Sequence, residues 1–231
     1  MYGARIKHYA LIPAKKKSVR CQRKNWRNFI QGRCLVDFTF KTIPSRIFEK
    51  IIVSTDNADY RVFKGAEKHI RSKKLAASES SVLDLINVII REYKIADEDY
   101  IWLLNPTSPF RLASDYRQIM KIIKQKLPIS LISAAEISPF IWKDNNPLFE
   151  IKGRRRNTND FKEKYAVENG MFYVVRPGYL RKNKSWYSKK TILYKQDTFW
   201  SSVDINTEDD FKQAQRMGRL WKTKSGRRGN V

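Results

Sequence analysis

The chain has 231 residues, 42% of them hydrophobic and 13% aromatic, enough to bury a full core and unlike a disordered segment. It shows no long uncharged apolar run and no apolar leader core, so neither a membrane-spanning helix nor a secretory signal is expected, and the expected location is the cytoplasm. The formal net charge of +24 points towards an anionic partner, but no recognised nucleic-acid-binding module accompanies it.

The charge is concentrated at the ends. Residues 1–36 carry ten Lys and Arg and no acid, and the stretch from Lys212 onward carries seven and again no acid. Residues 221–231 read as a basic, solvated tail, the one place where nucleic acid would be met. Cys21 and Cys34 lack metal-site spacing and read as free thiols of a reducing compartment. His8 and His69 are read as surface residues.

Tyr9–Ile12 is short, apolar and closed by Pro13, a buried first strand. The loop after it holds six side-chain charges, Lys15, Lys16, Lys17, Arg20, Arg23 and Lys24. A strand that delivers such a loop at its C-terminal end is where open α/β sheets bind ligands, and cations there call for an anion such as phosphate. A helix is expected over Leu35–Phe40, a buried strand over Lys50–Ser54 and a helix over Ala58–Lys68. Ser80 or Ser81 caps a helix over Val82–Tyr93, with Asp84 at capping-box spacing. Tyr100–Leu104 reads as a central parallel strand. Ser114–Lys126 follows as a helix with Ser114 as its candidate cap, then a strand at Ser130–Ala135.

Beyond this point the alternation breaks. Ile141–Glu150 carries an Asn-Asn-Pro turn and predicts a protruding hairpin. Short strands are expected at Gly170–Val175, Thr191–Tyr194 and Ser202–Ile205, and a last helix at Thr207–Arg219, capped by Thr207 with three carboxylates in its first turn. This order predicts an α/β fold with a mostly parallel, doubly wound sheet.

Five segments together resemble the cytidylyltransferases that activate sialic acid-like sugars. IPAKKKSVRCQRKN matches their opening signature at Ile12, Pro13, Ala14, Ser18, Arg20, Lys24 and Asn25. VSTDN at Val53–Asn57, LLNPTSPFR at Leu103–Arg111, ENGMFYV at Glu168–Val174 and VDINTEDDF at Val203–Phe211 resemble the later ones, in the same order. The resemblance implies a nucleotide-diphospho-sugar transferase-like domain over residues 1–220, with a dimerisation arm at about 138–165 and hence a homodimer. It also implies a reaction, in which CTP and a nonulosonic acid give the CMP-sugar and pyrophosphate with Mg²⁺ as cofactor.

By this resemblance Lys24 and Arg20 hold the triphosphate, and Asp204 is the best metal ligand. Asn206 stands where the family has a second aspartate; two residues apart on a strand, the pair would share a face. Ala14, Lys15, Ser18, Asn25, Ser81, Asn105 and Thr107 fall by the nucleotide, although Ser81 is equally read as a helix cap and Thr107 as part of a Pro-bounded turn. Asn105, Ser108, Arg156, Asn169 and Tyr173 fall by the sugar, with a core position equally open for Tyr173. Arg111 either binds the sugar carboxylate or caps a helix. Lys16 and Lys17 replace two glycines of the signature, and glycines there let backbone N–H groups approach phosphate. With Asn105 in place of glutamine and Asn206 in place of aspartate, an alternative stays open: a member with lost or altered activity that binds nucleotides or other anions.

Overall fold

The computed structural model describes residues 5–77, 79–149, 157, 161, 164–196 and 199–225, with side chains as far as 221. Among the described residues nine strands and six helices follow one another as β1 (His8–Ala14), α1 (Leu35–Thr42), β2 (Lys50–Thr55), β3 (Glu67–Ile70), α2 (Lys73–Ala76), α3 (Val82–Glu92), β4 (Tyr100–Leu103), α4 (Ala113–Lys126), β5 (Ser130–Ile137), β6 (Trp142–Lys143), β7 (Asn146–Pro147), β8 (Tyr165–Val175), α5 (Pro177–Asn183), β9 (Thr191–Gln196) and α6 (Glu208–Ser225). Seven strands form one sheet in the order β3-β2-β1-β4-β8-β5-β9. All its neighbours are parallel except β8, which runs antiparallel to β4 and β5. The strand order reverses between β1 and β4, the switch point at which an open α/β sheet leaves a crevice at its carboxyl ends.

Both faces of the sheet are covered. Ala10, Ile12, Val53, Trp102, Leu131 and Phe172 point into one core with residues of α1, α4 and α6. Tyr9, Leu11, Ile52, Ile101 and Val175 point into a second core with α3 and α5. Successive residues alternate between the two cores, as the two-residue period of a strand requires, which is why the strand sequences are apolar almost throughout.

Several expected elements differ. The helix expected over 58–68 is absent. The chain there turns through Gly65 at φ +91, and the Lys68 ammonium donates to the carbonyls of Ala58 and Tyr60 at 2.8 and 3.0 Å. It then enters β3, paired with β2 from Ile52↔Glu67 to Thr55↔Ile70. Ser202–Ile205 is not a strand, since Phe199–Ser202 is a 3-10 turn and Ile205 is tied to the sheet region by its N–H to the Thr107 carbonyl, at 2.8 Å. Ser114 does not cap α4. Leu112 holds that position, and its N–H is met by the Asp115 carboxylate at 2.8 Å.

The expected hairpin is formed by β6 and β7. Its turn is Asp144-Asn145, both at positive φ, one residue ahead of the Asn-Asn-Pro reading and of the type that suits a two-residue hairpin. Arg156 lies outside the described residues. The last helix continues past Arg219 into the basic stretch because Trp221 is buried against Phe110 and Trp200.

Candidate active site

The loop that leaves β1 forms one wall of a cleft of about 550 Å³ at the carboxyl edge of the sheet. Lys15, Lys17, Ser18, Arg20, Lys24 and Asn25 line it from the loop, Ser80 and Ser81 from the start of α3, Arg71 from the end of β3, and Asn206 from the segment before α6. Five of these are cations, and no carboxylate is among the lining residues.

The loop is held from both sides. The Lys15 carbonyl accepts from the Asn25 amide at 3.2 Å and the Trp26 indole at 3.0 Å, and its ammonium donates to the Ala77 carbonyl at 2.6 Å. Burial, with Arg71 nearby, holds the Lys15 ammonium below the usual lysine value. Lys24 donates to the Ile205 carbonyl at 2.6 Å. Burial lowers its pKa also, with Asp204 opposing the shift. Arg27 closes the loop onto α6 through Glu208 at 2.8 Å.

The two lysines that replace glycines are accommodated without a left-handed backbone. Neither takes a positive φ, and the residue of the loop that does is Arg23 at 51°. The Lys16 N–H is turned away from the cleft onto Asp56, and its ammonium pairs with Asp59 at 3.7 Å. Lys17 lines the cleft with its side chain. The loop therefore offers side-chain charge where a glycine loop would offer backbone donors.

Arg20, Asn206 and Asp204 form a chain. The Arg20 guanidinium donates to the Asn206 Oδ1 at 2.8 Å, and the Asn206 Nδ2 donates to the Asp204 Oδ2 at 2.7 Å. The donors and acceptors at each end fix the amide orientation. Asn206 thus turns a nitrogen, not an oxygen, towards Asp204 and gives its oxygen to Arg20. The pair is adjacent without a strand to align it. Among the described residues no group of three or more His, Cys, Asp or Glu side chains gathers anywhere as a metal cage. A single carboxylate with one uncommitted oxygen beside a cluster of cations is a donor set that fits Mg²⁺, an ion that keeps several waters and binds through few protein groups.

Arg71, which no motif singles out, also lines this cleft. Arg71 is 7% exposed. Its Nε donates to the Ser54 hydroxyl at 3.0 Å, and its Nη2 is buried with no partner. Burial pushes its pKa down to about 10, so it stays charged at neutral pH. Ser54 in turn meets His69 Nδ1 at 2.8 Å, and His69 Nε2 lies 3.3 Å from the Glu92 carboxylate. Because the Glu92 carboxylate can only accept, it draws the proton of the neutral ring to Nε2, which leaves Nδ1 to accept from the Ser54 hydroxyl. His69 is thus a buried link rather than a surface residue. His8 is buried too, stacked on Tyr100 at 5.4 Å. The second unpartnered group in the cleft is the Asn25 Oδ1.

The remaining candidates fall in a separate cluster. Asn105 donates to the Gly170 carbonyl at 3.1 Å, Ser108 to the Asn169 carbonyl at 3.1 Å, and Arg111 to the Met171 and Asn105 carbonyls at 2.9 and 2.7 Å. The Asn169 side chain accepts from Ser133 at 2.6 Å and donates to Gln196 at 2.8 Å. This network stitches the loop after β4 to β8. Gly170 has φ +72, and a Cβ there would meet the Ser108 hydroxyl at 2.8 Å, so only glycine permits that approach. Arg111 is 2% exposed and lies under the loop rather than in the cleft, where it neither caps α4 through a salt bridge nor faces solvent. Thr107 contributes its carbonyl to Ile205. Tyr173 donates to Glu168 at 3.0 Å, and its hydroxyl pKa is raised, by burial first and then by that carboxylate. Ala14 is a buried strand residue at the mouth of the loop. Ser81 caps α3, accepting from the Asp84 N–H at 3.1 Å, and also lines the cleft.

A cytidylyltransferase family model matches residues 9–199, a span that contains the loop after β1, the buried network and all of the cleft lining except Asn206. The chain belongs to the cytidylyltransferase family. Among its relatives, the CMP-N,N'-diacetyllegionaminic acid synthase of Legionella pneumophila is 30% identical over 227 residues, covering 91% of this chain and 96% of the relative. The N-acylneuraminate cytidylyltransferase of Escherichia coli is 27% identical, over 91% of this chain and 52% of the relative. In three dimensions this cytidylyltransferase is similar to a CMP:2-keto-3-deoxy-manno-octonic acid synthetase solved with CTP. The TM-score is 0.66 at 12% identity, covering 93% of this chain and 99% of that one, which is agreement in fold.

Proposed function

We propose that this cytidylyltransferase joins CTP to a nonulosonic acid, giving the CMP-sugar and pyrophosphate. The observation that carries the proposal is the cleft after β1, where five cations meet with no lining carboxylate. The names of the relatives supply the substrate class. A triphosphate meets the cation demand, with Lys24 and Arg20 as its main ligands and Lys17 and Lys15 in support. Arg71 and Asn25 line the same cleft beside these cations and border the nucleoside there.

In the reaction the anomeric hydroxyl of the sugar attacks the α-phosphorus. The new O–P bond forms as the bond from that phosphorus to the β-phosphate bridge breaks, the hydroxyl proton leaves to solvent, and pyrophosphate departs with the electron pair. Charge grows on the bridging and pyrophosphate oxygens, where fixed cations lower the barrier. Lys24, pinned by the Ile205 carbonyl, and Arg20, pinned by Asn206, are held for this before substrate arrives. Asp204 would hold Mg²⁺, which supplies Lewis-acid stabilisation of phosphoryl charge when bound. The sugar lies towards Tyr173 and Glu168, over the framework of Asn105, Ser108, Arg111 and Asn169, which acts through the backbone it positions.

The anion-binding alternative without chemistry is not favoured, because the Lys16 and Lys17 substitutions leave the loop unstrained and the cleft lined with charge. A homodimer is part of the proposal. The β6–β7 hairpin exposes Trp142 by 58% and Leu148 by 52%, and such apolar surface is normally covered. The test is incubation with CTP, Mg²⁺ and separate sialic, legionaminic, pseudaminic and 3-deoxy-octulosonic acids. Pyrophosphate release with one of the first three is expected; none with any acid at high Mg²⁺ would overturn the proposal.

A further inference from the structure

A second cleft, of about 780 Å³, opens at the other end of β1. Seven strand residues separate it from the loop, roughly 20 Å at the usual rise. Three segments distant in sequence bring cations to it: Arg5 ahead of β1, Arg46 from the turn after α1, and Arg117, Lys121 and Lys124 from α4. The helical three are spaced by four and three residues and so share one face. No Asp or Glu is among the lining residues. Among the described residues none of these five side chains makes an ion pair or a hydrogen bond. Like charges gathered without partners repel one another, and an anion between them relieves that repulsion.

A second and independent observation lies in the wall. His8 lines this cleft and is nine-tenths buried. Its Nδ1 accepts from the Trp102 indole at 3.1 Å, so its proton resides on Nε2. The Trp102 bond takes one edge of the ring and the Tyr100 stack takes a face. The Nε2 edge has no partner among the described residues and is the polar edge left for the cleft. The acid that acts on His8, Asp99, is already occupied by the N–H groups of Lys7 and Ala96 at 2.8 and 3.1 Å. The site therefore presents one fixed neutral donor in its wall and five exposed cations around it.

We propose that this cleft is a second anion site, distinct from the CTP cleft, that takes a small molecule bearing two or more linked phosphates, with His8 Nε2 as its fixed donor. The fixed donor favours a compact ligand that reaches it, whereas a group of cations alone would serve any polyanion. The phosphates come either as a free polyphosphate or as the tail of a nucleotide, and the two sources are separated by the probe.

The experiment uses the full chain, labelled with ¹⁵N in its two histidines, and inorganic triphosphate or CTP as titrant. Binding is counted by calorimetry, and the His8 ring resonances are followed in the same series. Two classes of triphosphate site are expected. A triple variant, Arg117→Gln with Lys121→Gln and Lys124→Gln, alters only exposed positions. It should weaken one class at least about tenfold and leave pyrophosphate release from CTP unchanged. The His8 Nε2 signal should move with that class in the native chain and stay still in the variant. A shift with triphosphate alone assigns the free polyphosphate, and a shift with CTP at the same midpoint assigns the nucleotide tail. One class of site that the triple variant does not affect, or an unmoved His8 signal, would overturn the proposal. So would duplex DNA clearing triphosphate from His8 at lower concentration than CTP does, which would make the surface a nucleic-acid contact. The outcome is independent of whether the CTP cleft performs the proposed transfer.

Discussion

Replacing Ser54 by alanine isolates the role of Arg71, because Ser54 does not itself touch the cleft. Its hydroxyl accepts from Arg71 Nε at 3.0 Å and donates to His69 Nδ1 at 2.8 Å, in a position fully shielded from water. The variant removes both bonds and leaves a buried guanidinium N–H without an acceptor, at a cost of about 2 kcal/mol. For a chain of this size that is a fall in Tm of about 4–8 °C. The loosened guanidinium no longer keeps its place beside the nucleotide, so KM for CTP should rise about tenfold, equivalent to ~1.4 kcal/mol, with a smaller change in kcat. Steady-state kinetics with CTP varied and sugar acid saturating reads the split, and differential scanning calorimetry reads the stability. A Tm loss of that size with KM for CTP unchanged would refute the argument, since Arg71 would then be part of the framework only.

Asp204→Ala should lower turnover at least about 100-fold at saturating Mg²⁺ with an unchanged far-ultraviolet circular dichroism spectrum, and chelation of divalent cations should stop the native chain; full activity in the variant would remove Asp204 from the metal. Burial lowers the His8 pKa to about 4 from 6.5, so the unfolded chain binds that proton more readily and stability falls as pH drops from 6.5 towards 4. The loss is roughly 3 kcal/mol, and urea midpoints at pH 7 and 5 should show a drop that His8→Gln reduces. Arg111→Met removes the bonds to the Met171 and Asn105 carbonyls, of which the second keeps only the Ser108 N–H, and should destabilise by about 2–4 kcal/mol. If it instead raises KM for the sugar acid with no change in urea midpoint, Arg111 contacts substrate and the framework reading fails.

The parts of this fold that could be read from sequence are those where one physical effect dominates. β1, β2, β4 and β5 are apolar on both faces because both faces are covered. The Ser81–Asp84 pair starts α3 through its own hydrogen bonds, a local event that needs no tertiary context. β3 was illegible for the opposite reason. Its Glu-Lys-His-Ile sequence lies at the sheet edge, largely exposed, and carries no strand-like alternation. The cleft was legible through the cations of its loop, whose spacing follows from one turn of chain. Arg71 was not, because what marks it is a buried relay through Ser54 and His69 to Glu92, three residues contributed by different elements. Asn206 shows a finer limit. Its neighbourhood to Asp204 followed from spacing alone, but the direction of its amide is set by Arg20, 186 residues away.

The central claim is that the cleft between the loop after β1 and the start of α3 holds CTP. A crystal structure of the protein with CTP tests it most directly. The account predicts triphosphate oxygens within hydrogen-bond reach of Lys24 and Arg20, and the base against Arg71 and Ser81. CTP bound elsewhere, with Lys24 still on the Ile205 carbonyl and no nucleotide beside Arg71, would contradict it.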